Sequence, residues 1–271
     1  MKLVFIDLDD TLLCKDKTIT EENRNTIKEA LDKGNVVSIC SGRSLHGGML
    51  AIKELGITHK NLYQIGYHGG MARNVMSGEI LAKNPMDIDG AIAVLEEALK
   101  RNIFAIAFTE FGIYVPNEGD DFKRYIRITN ESHMVYKNPM ELKEKNVCVY
   151  KILLSDFFDH EKLVSFQNDF GKKEEENNVK SFFSCLQYLE FVRSDVDKGL
   201  GLRTLTNSLG EKIENTVAIG DERNDISMIK AASIGCAMRN AHPDVKDIAD
   251  VILENDNENS GVAEAIKRFV L

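Results

Sequence analysis

The sequence predicts an α/β protein whose parallel-sheet core is built from both ends of the chain, with an α+β segment inserted between them. Three observations carry this reading. Apolar runs of buried-strand type alternate with helical stretches from the first residues onward, at Leu3 to Ile6 and Val36 to Cys40. The same rhythm returns after Lys198, with Thr216 to Ile219, Ile234 to Ala237 and Val251 to Leu253. Between the two halves the order gives way to hairpins and a long polar stretch. Strand–helix alternation marks a parallel sheet with right-handed crossovers, and its interruption marks an insertion. The boundaries that follow are 1–82 and 191–271 for the core and 83–190 for the insertion.

Each element has a local cause. Leu3-Val4-Phe5-Ile6 is a run buried on both faces, and Thr20 caps a helix that carries Ile27, Ala30 and Leu31 and ends at Gly34. Val36 to Cys40 is a second strand, and a helix runs from about Ser44 to Leu55, closed by Gly56. Leu62 to Tyr67 is a third strand, and Ser77-Gly78 turns a hairpin of Met71 to Met76 with Glu79 to Ala82. Beyond Pro85, the spacing of Ile88, Ala91, Ile92, Leu95 and Leu99 predicts an amphipathic helix. Strands are expected at Ile103 to Phe108, Ile113 to Val115, Val147 to Leu154, Phe182-Phe183 and Leu189 to Val192, with a helix over His160 to Phe170. In residues 116–145 only a short helix near Asp121 to Ile126 is legible. Helices over Gly199 to Leu209, Asp225 to Ala232 and Gly261 to Val270 complete the second half.

Composition bounds the function. With 43% apolar and 28% charged residues, the 271-residue chain reads as a globular protein able to bury a sizeable core. A formal charge of −9 argues against non-specific binding to nucleic acid or to an anionic membrane. No apolar run approaches the ~20 residues of a membrane span. The chain starts at once with a strand behind a single Lys2, so no signal peptide is expected. Five scattered cysteines without a C-x-x-C pair suit reduced thiols in a cytoplasm. The six histidines show no H-E-x-x-H spacing, so oxygen ligands are expected for any metal. A monomer or small homo-oligomer is expected.

Four strand ends of the core carry polar groups: Asp7 and Asp9, Ser41-Gly42, the loop to Lys198, and Asp221 through Asp225. Singly, they serve as turns, helix caps or a solvated lysine. Together they lie beyond the carboxyl ends of strands in one sheet, where open α/β sheets bind ligands. A turn starting at Leu8 can bring the carboxylates of Asp7 and Asp9 inward together, and a divalent cation is the usual remedy for acids packed so closely.

In this order, Phe5-Ile6-Asp7-Leu8-Asp9-Asp10-Thr11-Leu12-Leu13, Ser41-Gly42-Arg43, Asp197-Lys198-Gly199, Gly220-Asp221-Glu222-Arg223-Asn224-Asp225 and Asn259-Ser260-Gly261-Val262-Ala263 resemble the haloacid-dehalogenase-like phosphohydrolase superfamily. The position of the insertion, between the second and third motifs, resembles the Cof-type branch with a large α+β (C2-type) cap. The resemblance implies a Rossmann-like core, a specificity-setting cap, and Mg²⁺-dependent hydrolysis of a small-molecule phosphate ester. It assigns Asp7 as nucleophile and Asp9 as acid and base. It gives Mg²⁺ to the Asp7 carboxylate, the Asp9 carbonyl and Asp221, with Asp225 in support. Ser41, Gly42, Lys198 and Asn224 are the implied phosphate contacts. Three departures stand out: Asp10 where Gly is commoner, Cys40-Ser41 where Ala-Thr is commoner, and Gly66-Tyr67-His68-Gly69-Gly70 in place of a usual Asn-Gly-Ala. Phosphomutase activity, and a non-catalytic partner-binding protein that retains the site, are the alternative readings.

Overall fold

The structure, a computed structural model, describes residues 1–129 and 131–271. Its first elements are β1 (Leu3–Asp7), α1 (Glu21–Asp32), β2 (Val36–Cys40), α2 (Leu45–Leu55), β3 (Leu62–Gly66), β4 (Met71–Asn74) and β5 (Ile80–Lys83). Next come α3 (Ile88–Lys100), β6 (Phe104–Thr109), β7 (Gly112–Val115), α4 (Asp120–Thr129), β8 (His133–Val135), α5 (Met140–Glu144), β9 (Val149–Ser155), α6 (His160–Phe170), β10 (Val179–Cys185) and β11 (Tyr188–Arg193). The chain closes with α7 (Lys198–Ser208), β12 (Thr216–Gly220), α8 (Ile226–Ala231), β13 (Ile234–Ala237), α9 (Pro243–Lys246), β14 (Val251–Ile252) and α10 (Gly261–Phe269). Two compact units share these elements: Met1–Lys83 with Val196–Leu271, and Asn84–Asp195.

The first unit is built on a sheet of order β14-β13-β12-β1-β2-β3-β4-β5. Its strands run parallel from β14 to β3, and the β4–β5 hairpin extends it antiparallel. Strand β1 lies between β2 and β12, pairing Leu3 with both Val36 and Thr216, and every residue of it is buried. Its side chains alternate between two cores. Val4 and Ile6 join Ile27, Leu31 and Ile266 on one face, while Leu3 and Phe5 join Leu202, Leu205 and Met228 on the other. A strand covered on both sides reads as a continuous apolar run, which is why no polar residue interrupts Leu3 to Ile6. Each such side chain contributes roughly 1.5–3 kcal/mol when buried.

Caps fall where the sequence puts them. Thr20 Oγ1 accepts from the Asn23 N–H at 3.2 Å, and Ser44 Oγ accepts from the Gly47 N–H at 2.8 Å. Gly56 ends α2 in left-handed backbone at φ 68, a conformation that costs glycine little.

The second unit has a six-stranded sheet of order β10-β11-β9-β6-β7-β8, antiparallel except where β8 joins β7. Ala105, Ile152, Leu154, Leu189 and Phe191 share one hydrophobic core with Ala91 and Leu95 of α3 and with Leu163 and Phe166 of α6. Elsewhere in this sheet Lys151 of β9 and Glu190 of β11 form a buried ion pair at 2.9 Å.

Residues 116–145 hold more order than the sequence suggests. The expected short helix is α4, and β8 and α5 were not anticipated. All three residues of β8 are exposed, so it has no inward–outward alternation to read. The predicted Phe182-Phe183 strand extends over Val179–Cys185.

Candidate active site

The site is assembled at the carboxyl ends of β1, β2 and β12 and at the start of α7. After Asp7 the chain makes a wide turn over Leu8 to Leu12, closed by the Leu13 N–H donating to the Leu8 carbonyl at 2.9 Å. Asp10 occupies left-handed backbone at φ 58. Aspartate tolerates that region better than most residues, which accounts for an Asp where Gly is commoner. Asn240 Nδ2 pins the turn by donating to the Asp10 carbonyl at 2.7 Å.

This turn separates the two carboxylates that the sequence reading brings inward together. Asp7 points into a buried cluster in which carboxylate oxygens of Asp7, Asp221 and Asp225 lie within 4.8 Å of one another. Asp9 instead turns to Arg43 and Lys17. Arg43 donates Nε to Oδ2 at 2.9 Å and Nη2 to Oδ1 at 2.6 Å, and Lys17 Nζ donates to Oδ1 at 3.0 Å. The wide turn, with Asp9 extended at ψ 129 and Asp10 left-handed, is the physical reason.

Lys198 is the counter-charge within the cluster. Asp197 caps α7 by accepting from the Leu200 N–H at 2.6 Å, so Lys198 enters on the first turn of a fixed helix. Its ammonium donates to Asp7 Oδ1 at 2.5 Å, to Asp225 Oδ1, and at 3.4 Å to Asn224 Oδ1. Asp225 is committed elsewhere too, since its Oδ2 accepts the N–H groups of Asp221 (3.0 Å) and Glu222 (3.1 Å). Gly220 is needed here for space: a Cβ on it would stand 2.6 Å from Asp225 Cβ. Asp221 Oδ1 accepts from Thr11 Oγ1 at 2.5 Å.

Three buried carboxylates against one ammonium leave the cluster short of positive charge. Burial first, and then Asp225, push the Asp7 carboxyl well above its ordinary range despite Lys198. Asp221 is pushed up to about 7, chiefly by burial, with Thr11 opposing and Asp225 and Asp10 adding to the rise. Burial works against the charge on Lys198, but Asp225 and Asp7 more than offset it and hold the ammonium protonated. Asp9 goes the other way: burial would raise it, yet Arg43 and Lys17 outweigh burial and keep it ionised. An oxygen-only, acid-rich donor set lacking counter-charge fits a hard divalent cation.

Ser41 and Gly42 follow β2. Ser41 Oγ accepts from the Arg43 N–H at 3.1 Å, and the ring of His68 packs directly on Gly42. The sequence reading assigned no role to four side chains here: Thr11, Lys17, Arg43 and His68. Arg43 stood within a quoted motif, but its partner Asp9 is 34 residues distant, and no local pattern pairs them.

A sequence profile of the haloacid dehalogenase-like hydrolases matches residues 4–266. The chain belongs to this family. Among the chain's relatives, phosphatase YwpJ of Bacillus subtilis is 27% identical, with 100% of both chains covered. The 5-amino-6-(5-phospho-D-ribitylamino)uracil phosphatase YcsE of Bacillus subtilis is 30% identical over 100% of this chain and 96% of its own. The crystal structure of a haloacid dehalogenase-like hydrolase from Bacteroides thetaiotaomicron superposes with a TM-score of 0.85 at 29% identity, covering 98% of each chain. This haloacid dehalogenase-like hydrolase is an enzyme of the phosphatase class. Among the described residues, no helix is long and apolar enough to cross a membrane.

Proposed function

We propose that the protein is a Mg²⁺-dependent phosphatase of a small phosphorylated metabolite, working through an aspartyl-phosphate on Asp7. The observation that carries this is the buried Asp7 carboxylate, held by Lys198 beside Asp221 and Asp225 at the edge of the sheet. Lys198 occupies Oδ1 and restrains the side chain, and an oriented nucleophile is what an in-line displacement requires.

Asp7 would hold Mg²⁺ together with Asp221 and the Asp9 main-chain carbonyl, and Asp225 would support the shell by fixing Lys198 and the Asp221 backbone. When bound, the cation would supply the missing positive charge and neutralise phosphoryl oxygens. In the first half-reaction an Asp7 oxygen bonds to phosphorus while the bond from phosphorus to the leaving oxygen breaks, and Asp9 gives that oxygen a proton. In the second, water attacks phosphorus, Asp9 takes its proton, and the bond to Asp7 breaks to restore the carboxylate. The Ser41 hydroxyl, the Gly42 N–H, Lys198 and Asn224 would receive the phosphoryl oxygens.

The inserted unit would act as a cap that contacts the leaving group and sets specificity. Sugar phosphates, phosphorylated cofactors and nucleotides are the substrate classes to test. The phosphoribityl compound named for YcsE belongs in the same screen. Hydrolysis of p-nitrophenyl phosphate with Mg²⁺, abolished by EDTA and by Asp7→Asn, is the expected result. No turnover of any phosphate ester across such a screen would overturn the reading.

A further inference from the structure

The loop Met238–His242, between β13 and α9, holds two segments that bear proposed metal contacts. At its ends the Met238 N–H donates to the Gly220 carbonyl at 3.0 Å, and the His242 N–H to the Asp221 carbonyl at 2.8 Å. At its tip Asn240 Nδ2 donates to the Asp10 carbonyl at 2.7 Å, across 230 residues of sequence. The strand order β13-β12-β1 shows how far this bond reaches. Neighbouring strands lie roughly 4.8 Å apart, and Asn240 links the loop after β13 to the turn after β1, two strands away. One loop thereby ties the backbone of Asp221 to the backbone next to Asp9.

Asn240 is itself held. Its Oδ1 accepts from the Asn257 N–H at 3.3 Å, and Asn257 Nδ2 donates to the Leu13 carbonyl at 3.0 Å. Asn257 is buried, and Cys14 Sγ donates to its carbonyl at 3.6 Å. The two asparagines grip the wide turn at Asp10 and again just past its end, at Leu13. The turn needs this support, because Asp9 is extended at ψ 129 while Asp10 is left-handed at φ 58 and ψ 10, a region that resists any side chain. The direction of the Asp9 carbonyl is set by the planar peptide joining these two residues. A bond to the Asp10 carbonyl fixes the next peptide plane and so limits how the first can rotate. Asp10 and Asn240 are both exposed, and water satisfies exposed carbonyls, so solvation alone does not call for an asparagine.

We propose that Asn240 is a positioning residue for the cation, holding the Asp10 carbonyl so that the Asp9 main-chain carbonyl is aimed at a metal shared with Asp7 and Asp221. This rests on the phosphatase reading above and adds a residue that shapes the same site from outside it. The test compares wild type with Asn240→Ala and Asn240→Leu, which remove the donor, and with Asn240→Gln, which keeps an amide on a longer stem. All three leave the charge of the site unchanged. Mg²⁺ alone is titrated into metal-free protein by calorimetry, and melting of the metal-free proteins is the folding control. The donorless variants should bind Mg²⁺ about 10-fold more weakly, at the lower end of what losing a group behind a metal ligand costs. Asn240→Gln should recover part of the loss. The Mg²⁺ concentration that gives half-maximal turnover of p-nitrophenyl phosphate should rise by the same factor. In the wild type, Mg²⁺ should also shift the Asn240 side-chain N–H resonances in NMR spectra, a readout that needs no variant to fold. Unchanged Mg²⁺ affinity in a folded donorless variant, whatever its melting temperature, makes Asn240 a structural residue only and overturns the proposal. Unmoved Asn240 resonances do the same, while wild-type turnover with Mg²⁺ keeps the phosphatase reading intact. A wild type that neither binds Mg²⁺ nor hydrolyses the ester overturns both.

Discussion

Arg43 grips the Asp9 carboxylate at two points, 2.9 Å and 2.6 Å, across 34 residues of sequence. Lys17 adds a third donor. A carboxylate so held is ionised, which suits a base, and it must gain a proton before it serves as an acid. For Asp9→Asn, kcat/KM on an alkyl phosphate should therefore fall by roughly 10²–10⁴. The loss on p-nitrophenyl phosphate should be much smaller, because nitrophenolate departs unprotonated. Mg²⁺ affinity should barely change, since the proposed metal contact is the main-chain carbonyl. Equal losses on the two esters would refute the acid role.

Arg43→Lys should reproduce the direction of that effect in milder form. An ammonium cannot make the two parallel bonds of a guanidinium, so Asp9 would keep its charge and lose its orientation. The expected outcome is a fall of about 10-fold in kcat/KM on alkyl esters, with the aryl ester nearly spared. Steady-state kinetics on the pair of substrates decides it.

Asp7→Asn should remove turnover while leaving the fold intact. Loss of the nucleophile permits no covalent intermediate, so activity above about 1% of wild type would contradict the assignment. Circular dichroism and thermal unfolding supply the folding control.

Lys198→Met should destabilise the protein by about 3–5 kcal/mol near neutral pH, because Asp7 and Asp225 lose their shared buried partner. The loss should shrink in mild acid, where the orphaned carboxylates can take up protons. Urea unfolding at two pH values reads the difference.

The site also predicts how stability changes with pH. The Asp221 carboxyl is raised from 3.8 to about 7 in the folded protein. Between those values the folded protein holds more protons than the unfolded chain, so stability declines as pH rises through that window. Asp7 shifts in the same direction. Asp9 is lowered, and its contribution disappears only in more acidic solution, below the ordinary carboxylate range. Metal-free protein should melt several degrees lower at pH 7.5 than at pH 5, and Mg²⁺ should raise the melting temperature more at pH 7.5. A metal-free melting temperature that climbs across this interval would contradict the charge balance described.

Much of this was legible because buried parallel strands leave strong marks. Leu3 to Ile6 and Val217 to Ile219 are unbroken apolar runs, and Thr20 and Ser44 announce their helices. Asp7, Ser41, Lys198 and Asp221 stood out as candidates because each lies at a strand end or a helix start, inside a motif that resembles the family's. What escaped notice depends on partners far along the chain. Arg43 meets Asp9 only after β1 and β2 pair, and Thr11 reaches Asp221 across 210 residues. The direction of the Asp9 side chain hung on the backbone angles of Asp9 and Asp10, which composition does not disclose. In the inserted unit β8 went unseen because all three of its residues face water.

The position of β1 carries a consequence for the order of events in synthesis. One of its two neighbours is β2, made almost at once, while the other is β12, whose pairing joins Leu3 to Thr216. At ~5–20 residues per second a ribosome takes about 10–40 s to supply that partner. Throughout this time a strand buried along its whole length in the finished protein has one open edge, which is the kind of surface that recruits chaperones or neighbouring chains. Asn84–Asp195 can form its own core meanwhile. Once it does, the segment Asn84–Asp195 no longer counts as flexible chain in the loop that β1 and β12 must close, and the entropic barrier to completing the central sheet falls. Mutations that slow folding of the inserted unit should therefore reduce the yield of active enzyme without altering the catalytic constants of the molecules that mature.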